Sequence, residues 1–350
     1  MIALTGATGF LGRRVARVLA AEGHAVRCLV RDSSDTGPLE AHVGPALVDR
    51  IEIVRVDLLK QDDCRDALAA CDALVHAAAG LSGAASTLFL NSVSSTKSLL
   101  SAAAEVGLRR VVLISSLGVY AARGVPSGGV LTEDTPVDPD PPARDPYTYA
   151  KLVQEREARR ISEDTGLPIV TLRPGIIIGP GRGVLCGRIG IQLGRTMVQM
   201  GGGQIVANTY VDNCAEAIAL AVTANDVEGR VLNIIDDDLP TASQSVRFSR
   251  RLDPPLRRVW VPGLLVRPAC GFYHWYSRLS HGQVPPILTR YRAAASWGRV
   301  RYDNSAAKAA LGWTPRVPMD EAMRRSVTGE DPAAAPADAP RLLPEAPAAV

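Results

Sequence analysis

The sequence predicts an α/β fold in which a doubly wound parallel sheet is covered by helices on both faces. Short apolar segments at 2–4, 25–30, 51–56, 73–76, 110–115 and 169–172 are typical of strands. Helical patterns lie between several of them, directly after the first segment, at 86–106 and at 147–165. Because alternating strands and helices are joined by βαβ crossovers, we expect the strands to run parallel.

The second half of the chain is less regular, which predicts a smaller α+β domain. Helices are expected at 213–223, 264–279, 304–311 and 320–327, and a strand at 231–235. The last part of the chain is rich in Ala and Pro and offers little to build a core. Residues 329–350 are therefore expected to form a disordered tail.

Composition argues against several classes of protein. The 350 residues include 39 Lys+Arg and 36 Asp+Glu, a net charge of +3, which does not suit a dedicated nucleic-acid binder. The six cysteines form no CxxC pair and no zinc-ligand spacing, so we expect neither a disulfide framework nor a metal site. Without a signal-peptide pattern or an 18-residue apolar run, a cytoplasmic protein with no transmembrane helix is expected.

A glycine turn follows the first strand and opens the first helix. Gly6, Gly9 and Gly12 form the pattern GxxGxxG. One glycine permits a tight turn, another lets a pyrophosphate approach the backbone, and the third lets helix and strand pack closely. The pyrophosphate would then lie at the positive end of the helix. The context predicts a dinucleotide site, although a glycine-rich turn of another α/β fold has the same pattern.

The end of the second strand bears on which dinucleotide is bound. NAD sites place an acidic residue there for the ribose 2′-hydroxyl, but this position holds Val30, followed by Arg31. A guanidinium suits a 2′-phosphate, and Arg13 or Arg14 could add a second one. The sequence therefore favours NADP. NAD stays possible because Asp32 could serve the 2′-hydroxyl after a small register shift, with Arg31 an ordinary surface arginine.

Three polar residues form a candidate catalytic group. Tyr147 and Lys151 are four residues apart on a predicted helix and share one face, so the ammonium is expected to lower the phenol pKa for proton transfer. Ser115 and Ser116 end the fifth strand, at the sheet edge where ligands bind, and can hold a substrate oxygen. The simpler alternatives are a chance spacing and a pair of serines that caps the strand.

Nine stretches together resemble the extended short-chain dehydrogenase/reductase family. They are TGATGFLG (5–12), VDLL (56–59), HAAA (76–79), SSLGVY (115–120), YTYAK (147–151), LRPGIIIGPG (172–181), YVDNCAEAIALA (210–221), GRVLNI (229–234) and LGWTP (311–315). The resemblance implies a Rossmann domain of residues 1–175 with returning segments near 205–235. It also implies a substrate-binding domain of residues 176–204 and 236–328.

The resemblance assigns roles within these stretches. It implies Ser116 rather than Ser115 as the catalytic serine, Tyr147 as the acid/base, and Lys151 on the nicotinamide ribose. Cofactor contacts are implied at Gly6, Thr8, Gly9, Phe10, Leu11, Gly12, Asp57, Leu58, Ala77, Ala78, Tyr147, Lys151, Pro174, Gly175 and Ile176, with Arg31 added from the strand-end argument. Because the family is usually dimeric, a homodimer through the helices near 86–106 and 147–165 is expected.

Two branches of the family remain open. Nucleotide-sugar epimerases typically carry Asn where this chain has Ile176, and the chain is more similar to 3β-hydroxysteroid and sterol dehydrogenases and dihydroflavonol reductases. We therefore expect an NADP-dependent oxidoreductase that acts on a ketone or secondary alcohol of an apolar small molecule, such as a sterol-like, polyketide-like or long-chain keto compound. The alternatives are a nucleotide-sugar 4-epimerase or reductase with tightly bound NAD, and a catalytically silent dinucleotide-binding redox sensor.

The segment 260–280 is rich in aromatic and aliphatic residues. A helix whose apolar side faces the core of the substrate domain is the simplest interpretation. The same residues could instead line an apolar substrate pocket or lie on a membrane surface.

Overall fold

The computed structural model describes residues 1–80, 84–252, 256–281, 283 and 288–332. Its strands are β1 (Ile2–Thr5), β2 (Val26–Val30), β3 (Ile51–Arg55), β4 (Ala73–His76), β5 (Arg110–Ile114), β6 (Val130–Leu131), β7 (Ile169–Pro174), β8 (Ile176–Ile178), β9 (Gly190–Leu193), β10 (Thr196–Met200), β11 (Asn208–Tyr210), β12 (Val231–Ile234), β13 (Arg257–Val261) and β14 (Arg301–Tyr302).

Its helices are α1 (Gly12–Ala21), α2 (Gly37–Val43), α3 (Gln61–Leu68), α4 (Ala85–Phe89), α5 (Ser95–Glu105), α6 (Pro146–Thr165), α7 (Val211–Thr223), α8 (Ala242–Leu252), α9 (Gly263–Leu279), α10 (Arg290–Trp297), α11 (Ser305–Leu311) and α12 (Met319–Thr328). A π-helical turn, Leu90–Ser94, joins α4 to α5. None of the described helices is long and apolar enough to cross a membrane.

Seven parallel strands form the main sheet, in the order β12-β7-β5-β4-β1-β2-β3. Helices α1, α2 and α7 cover one face and α3, α5 and α6 cover the other. The chain order reverses between β1 and β4, which opens a crevice at the carboxyl ends of these strands. The predicted doubly wound α/β fold is confirmed.

The smaller part of the molecule is built from short elements. Strands β9, β10 and β13 form one sheet, β8 pairs with β11, and β6 pairs with β14. The apolar pattern of the sequence did not predict these strands or helices α2, α3, α8 and α10. Most of them are too short for a periodic apolar pattern, and β13 leaves Arg257 and Arg258 exposed.

Two features differ from the division of the chain drawn from the sequence. Helix α11 and Trp313 lie within the expected substrate segment, yet they pack into the core beneath the main sheet. The expected tail begins with ordered contacts, since Glu330 pairs with Arg324 at 2.7 Å and Asp331 pairs with Arg14 at 2.5 Å. Residues 333–350, the rest of that expected tail, lie outside the described part of the chain.

Candidate active site

The glycine turn brings β1, β4 and α1 together at the crevice. Gly6 has φ +71°, and a Cβ there would come within 2.9 Å of the Ala77 and Ala78 backbone. A Cβ on Gly12 would lie 2.0 Å from the Gly6 carbonyl oxygen. Gly9 is exposed, and a Cβ on it would meet only that carbonyl, at 3.1 Å. Gly6 and Gly12 therefore serve packing within the protein, whereas Gly9 leaves space on the outer side of the turn.

The residues in this turn leave the first amides of α1 without side-chain partners. No side chain caps the helix at Leu11, and its first turn contains no acidic residue. The Arg13 and Arg14 amides donate to backbone carbonyls of the turn, at 3.1 Å and 3.0 Å. Among the described residues this leaves the Leu11 and Gly12 amides free, and free N–H groups at a helix N-terminus bind phosphate oxygens. Together with the space at Gly9, this arrangement fits the pyrophosphate of a dinucleotide.

A cavity of about 640 Å³ opens beside the carboxyl end of β5. Ser116 and Tyr147 both line it, and so do Pro174, Gly175 and Ile176. The Ser116 Oγ accepts a hydrogen bond from the Gly118 amide at 3.1 Å. Ser115 is buried away from the cavity, and its Oγ has no hydrogen-bond partner among the described residues. Of the two serines, Ser116 is the one that faces this space.

Helix α6 places Tyr147 in its first turn. Asp145 caps the helix by accepting from the Thr148 amide at 2.9 Å and from the Thr148 hydroxyl at 2.7 Å, and Pro146 occupies the first helical position. Burial raises the pKa of Tyr147 above its usual value, while a hydrogen bond with Ser116 and the Arg182 charge oppose this. The phenol is therefore protonated at neutral pH.

Lys151 lies one turn further along α6 and is buried. Its Nζ donates to the Ile114 carbonyl at 2.7 Å and to Gln154 Oε1 at 2.8 Å. Burial lowers the pKa of Lys151 to about 8, and the nearby Glu155 carboxylate partly offsets this. Ser116 and Arg182 are the groups that lower the Tyr147 pKa here, rather than the expected Lys151.

A chain of buried polar groups joins Lys151 to the glycine turn. Gln154 Nε2 donates to Thr96 Oγ1 at 2.7 Å, and Thr96 Oγ1 lies 2.8 Å from His76 Nε2. His76 Nδ1 lies 2.8 Å from Thr5 Oγ1, which accepts from the Ala78 amide at 3.1 Å. Burial and the Lys151 charge lower the pKa of His76 to about 3, so this imidazole is neutral. The network connects α5 and α6 to β1 and β4.

Of the residues considered for the 2′-phosphate, Arg14 is excluded. Its side chain is buried, and its guanidinium pairs with Asp212 at 2.9 Å and with Asp331 at 2.5 Å. Arg31 lies exposed just beyond β2, and Asp32 beside it is also exposed. Arg13 is half-buried, and its guanidinium lies 5.9 Å from the centre of the Phe10 ring.

The other predicted cofactor positions lie along the same edge of the sheet. Asp57 follows β3, is exposed and accepts from the Leu59 amide at 3.0 Å, while Leu58 packs partly into the core. Thr8, Phe10 and Leu11 are half-buried in the glycine turn, and Ala77 and Ala78 follow β4. The turn and the cavity adjoin, because a Cβ on Gly179 would lie 2.9 Å from Phe10 Cζ.

Sequence reasoning missed two arginines that line the cavity. The Arg182 guanidinium lies 5.4 Å from the Phe10 ring centre, and Arg188 Nη1 donates to the Tyr302 hydroxyl at 3.3 Å. Neither side chain forms an ion pair with any residue that the structure describes. Arg144 lines the cavity too, but it is paired with the buried Asp138 at 2.7 Å. The signal available was the position of Arg182 in the stretch GPGRG, just beyond Ile176.

Comparison with known proteins identifies the family. Residues 2–234 match the model of the NAD dependent epimerase/dehydratase family, which covers the glycine turn and all three candidate catalytic residues. The chain belongs to this family. It is thus an extended short-chain dehydrogenase/reductase.

Several curated members of the family are reductases. The chain is 30% identical to cinnamoyl-CoA reductase 1 of Petunia hybrida over 51% of this chain and 55% of that protein. It is 28% identical to 3-diazoavenalumate denitrifying reductase of a Streptomyces species, over 91% of this chain and 96% of that protein. It is also 27% identical to 2-alkyl-3-oxoalkanoate reductase of Shewanella oneidensis, over 92% and 84%. The chain thus spans only about half of the first of these relatives.

Solved structures of the family share the fold. UDP-glucuronic acid 4-epimerase from Bacillus cereus, solved with UDP-glucuronic acid and NAD, is 20% identical with a TM-score of 0.69, covering 94% of this chain and 98% of that one. A family protein from Agrobacterium tumefaciens with bound NAD is also 20% identical, with a TM-score of 0.68, covering 94% and 96%. At this identity the likeness supports the Rossmann fold and no more.

Proposed function

We propose that this enzyme is an NADP-dependent oxidoreductase that interconverts a ketone and a secondary alcohol. The observation that carries the proposal is the convergence of Ser116, Tyr147 and the buried Lys151 at the carboxyl edge of β5. A proton donor and a hydroxyl donor at one cavity are what a carbonyl oxygen needs as it becomes an alkoxide. A catalytically silent redox sensor would need neither group, which argues against that alternative.

Some residues around the crevice would bind the cofactor, and others would transfer the proton. A bound nicotinamide dinucleotide supplies or accepts the hydride. The α1 amides would hold the pyrophosphate, and Arg31 would hold the 2′-phosphate. Tyr147 would donate its proton to the substrate oxygen in reduction and take it back in oxidation, while Ser116 would orient that oxygen. Lys151 would fix the ribose, and the Arg182 charge would help to stabilise the phenolate.

The cavity wall suits a substrate with an apolar body. Ile176, Ile177 and Ile178 line the cavity, together with Val184 and Leu185. Apolar side chains with a few convergent polar groups are typical of small-molecule sites. This supports an apolar keto compound, and the reductases among the relatives agree with a carbonyl substrate.

A nucleotide-sugar 4-epimerase is the second candidate. Arg182 and Arg188 bring two guanidinium groups to the cavity without a described carboxylate partner, and a diphosphate would pair with them. Ile176 argues against an epimerase because its side chain cannot form a hydrogen bond with the substrate.

Fluorescence titration of the purified enzyme with NADPH and NADH, side by side, tests the proposal. We expect NADPH to bind at least tenfold more tightly, and Arg31→Ser to remove most of that preference while leaving NADH binding unchanged. Arg230→Ser, at an exposed position on the loop before β12, is the matched control. Tighter binding of NADH, or NAD retained through purification, would overturn the NADP assignment and favour the epimerase.

A further inference from the structure

Helix α9 turns its largest apolar side chains toward solvent. Its fully buried positions are Val266, Cys270 and Ser277, all small or medium in size. The opposite face carries an apolar row that repeats at helical spacing, which we call the outer stripe: Leu264, Leu265, Phe272, Trp275, Tyr276 and Leu279, between 48% and 79% exposed. A surface helix normally buries its apolar face. The expected core-facing orientation of this helix is therefore wrong for its large residues, and none of them lines the main cavity.

Packing beneath α9 prevents the outer stripe from turning inward. Val266 and Cys270 pack with Ala293 of α10 in a small cluster. At Gly271 the contact is so close that a Cβ would lie 2.4 Å from Arg290 Nε. The buried side of α9 is thus formed by small and medium side chains, while Phe272 and Trp275 stay exposed. The exposure of the outer stripe is thus a property of the fold.

Positive charge is concentrated in the same region. Residues 239–302 contain eleven arginines and one acidic residue, Asp253, although the whole chain has a net charge of only +3. Arg267 and Arg278, eleven residues apart, lie along one border of the outer stripe. Arg257 and Arg258 are exposed on β13, which leads into α9. None of these four arginines forms an ion pair with a described residue.

We propose that the outer stripe and its arginines dock the enzyme on an anionic phospholipid bilayer. Aromatic and aliphatic side chains bordered by arginines favour the boundary between headgroups and acyl chains. Charge complementarity disfavours a second copy of this chain, since a symmetric contact would bring the same arginines together. Because α9 packs on α10, and Ser296 of α10 lines the cavity, one cavity wall would lie directly behind the docked helix. The proposal does not depend on the cofactor or the substrate.

Flotation of the full-length enzyme with vesicles tests this proposal. One set contains phosphatidylcholine alone and the other contains phosphatidylcholine with about one-third phosphatidylglycerol. We expect binding to the anionic vesicles only, and weaker binding at high salt. Phe272→Ser with Trp275→Ser should weaken binding at least tenfold, whereas Leu193→Ser, which removes a 63% exposed leucine on β9, should not. Each variant is checked by its melting temperature and NADPH binding, which should not change.

The charge contribution is measured with a second pair of variants. Arg267→Gln with Arg278→Gln should weaken binding roughly tenfold to thirtyfold, since each arginine near an anionic surface contributes about 1 kcal/mol. Arg230→Gln with Arg316→Gln removes the same charge elsewhere and should have little effect. The proposal is overturned if the wild type floats with neither vesicle or if all variants bind equally. It is also overturned if the α9 variants change only the oligomeric state, because a second copy would then cover the stripe.

Discussion

At the scale of single residues, Tyr147 and Tyr149 offer a matched pair on one helix. Tyr147 lines the cavity, whereas Tyr149 packs edge-on against Phe89, with ring centres 4.8 Å apart. Tyr147→Phe should lower turnover about 10²–10⁴-fold and leave NADPH affinity nearly unchanged, because only the proton donor is lost. Tyr149→Phe, measured by the same steady-state assay, should keep turnover. Equal turnover in the two variants would contradict the role of Tyr147.

Gln154 holds the Lys151 ammonium by a hydrogen bond, in addition to the burial and the Glu155 charge that shift the Lys151 pKa. Its Oε1 accepts from the Lys151 ammonium at 2.8 Å, which favours the charged form. Gln154→Leu removes this acceptor and should lower the Lys151 pKa from about 8, so the alkaline limb of the kcat/KM profile moves to lower pH. Gln154→Glu adds a negative charge and should move that limb to higher pH. A purely structural role would shift both variants in the same direction.

The local sequence could identify Tyr147, Lys151 and Ser116 because each belongs to a short motif with a fixed spacing. Gln154 could not be identified in this way, since its partners Thr96 and His76 lie 58 and 78 residues away in the chain. The same holds for Arg14, which was a candidate for the 2′-phosphate. Its location beside the third glycine suggested a ligand, but its partners are 198 and 317 residues away. Long-range ion pairs of this kind leave no local signal.

At the scale of elements, the start of α6 sets the position of Tyr147. The Asp145 side chain accepts from the amide of Thr148, which follows Tyr147 in the first turn of the helix. Asp145→Ala should lower the free energy of unfolding by about 1 kcal/mol through loss of the cap. It should also reduce turnover, because the first turn is then free to fray. Asp164→Ala removes an exposed carboxylate near the other end of the same helix and should do neither. Chemical denaturation and kinetics together decide this, and unchanged turnover in the Asp145 variant would contradict it.

Element prediction succeeded where apolar periodicity is strong. The seven main strands and helices α6, α7 and α9 lie close to their expected positions because each has a continuous apolar face or run. The expected helix 86–106 is real in outline, but it contains the π-helical turn at Leu90–Ser94. A π turn takes one extra residue within a helix and does not interrupt its pattern enough to be noticed. The orientation of α9 could not be predicted either. The periodicity of a helix separates its faces, but it does not show which face packs against the rest of the protein.

At the scale of the whole molecule, the site is made where the Rossmann sheet meets the smaller part. Gly179 approaches Phe10 of the glycine turn, and Arg182 just beyond it extends over the same ring. The sequence showed the glycine-turn motif and the stretch 172–181, but it did not show that the two lie close together in space. Arg182 and Arg188 line the cavity but lie outside the quoted motifs, so the motifs did not show the positive charge that these residues bring to it.

The last described residues close the molecule onto α1, and this closure is testable. Asp331 pairs with the buried Arg14, whose other carboxylate partner is Asp212. Asp331→Asn leaves a buried guanidinium with only one anionic partner, so the free energy of unfolding should fall by about 1.5–3 kcal/mol. Asp62→Asn breaks an exposed pair with Arg65 and should change it by less than about 0.5 kcal/mol. Since α1 packs on the main sheet, urea denaturation should show the loss as one cooperative shift of the whole transition. Equal stability of the two variants would mean that residue 331 only rests on the surface, and that the Rossmann core is complete without it.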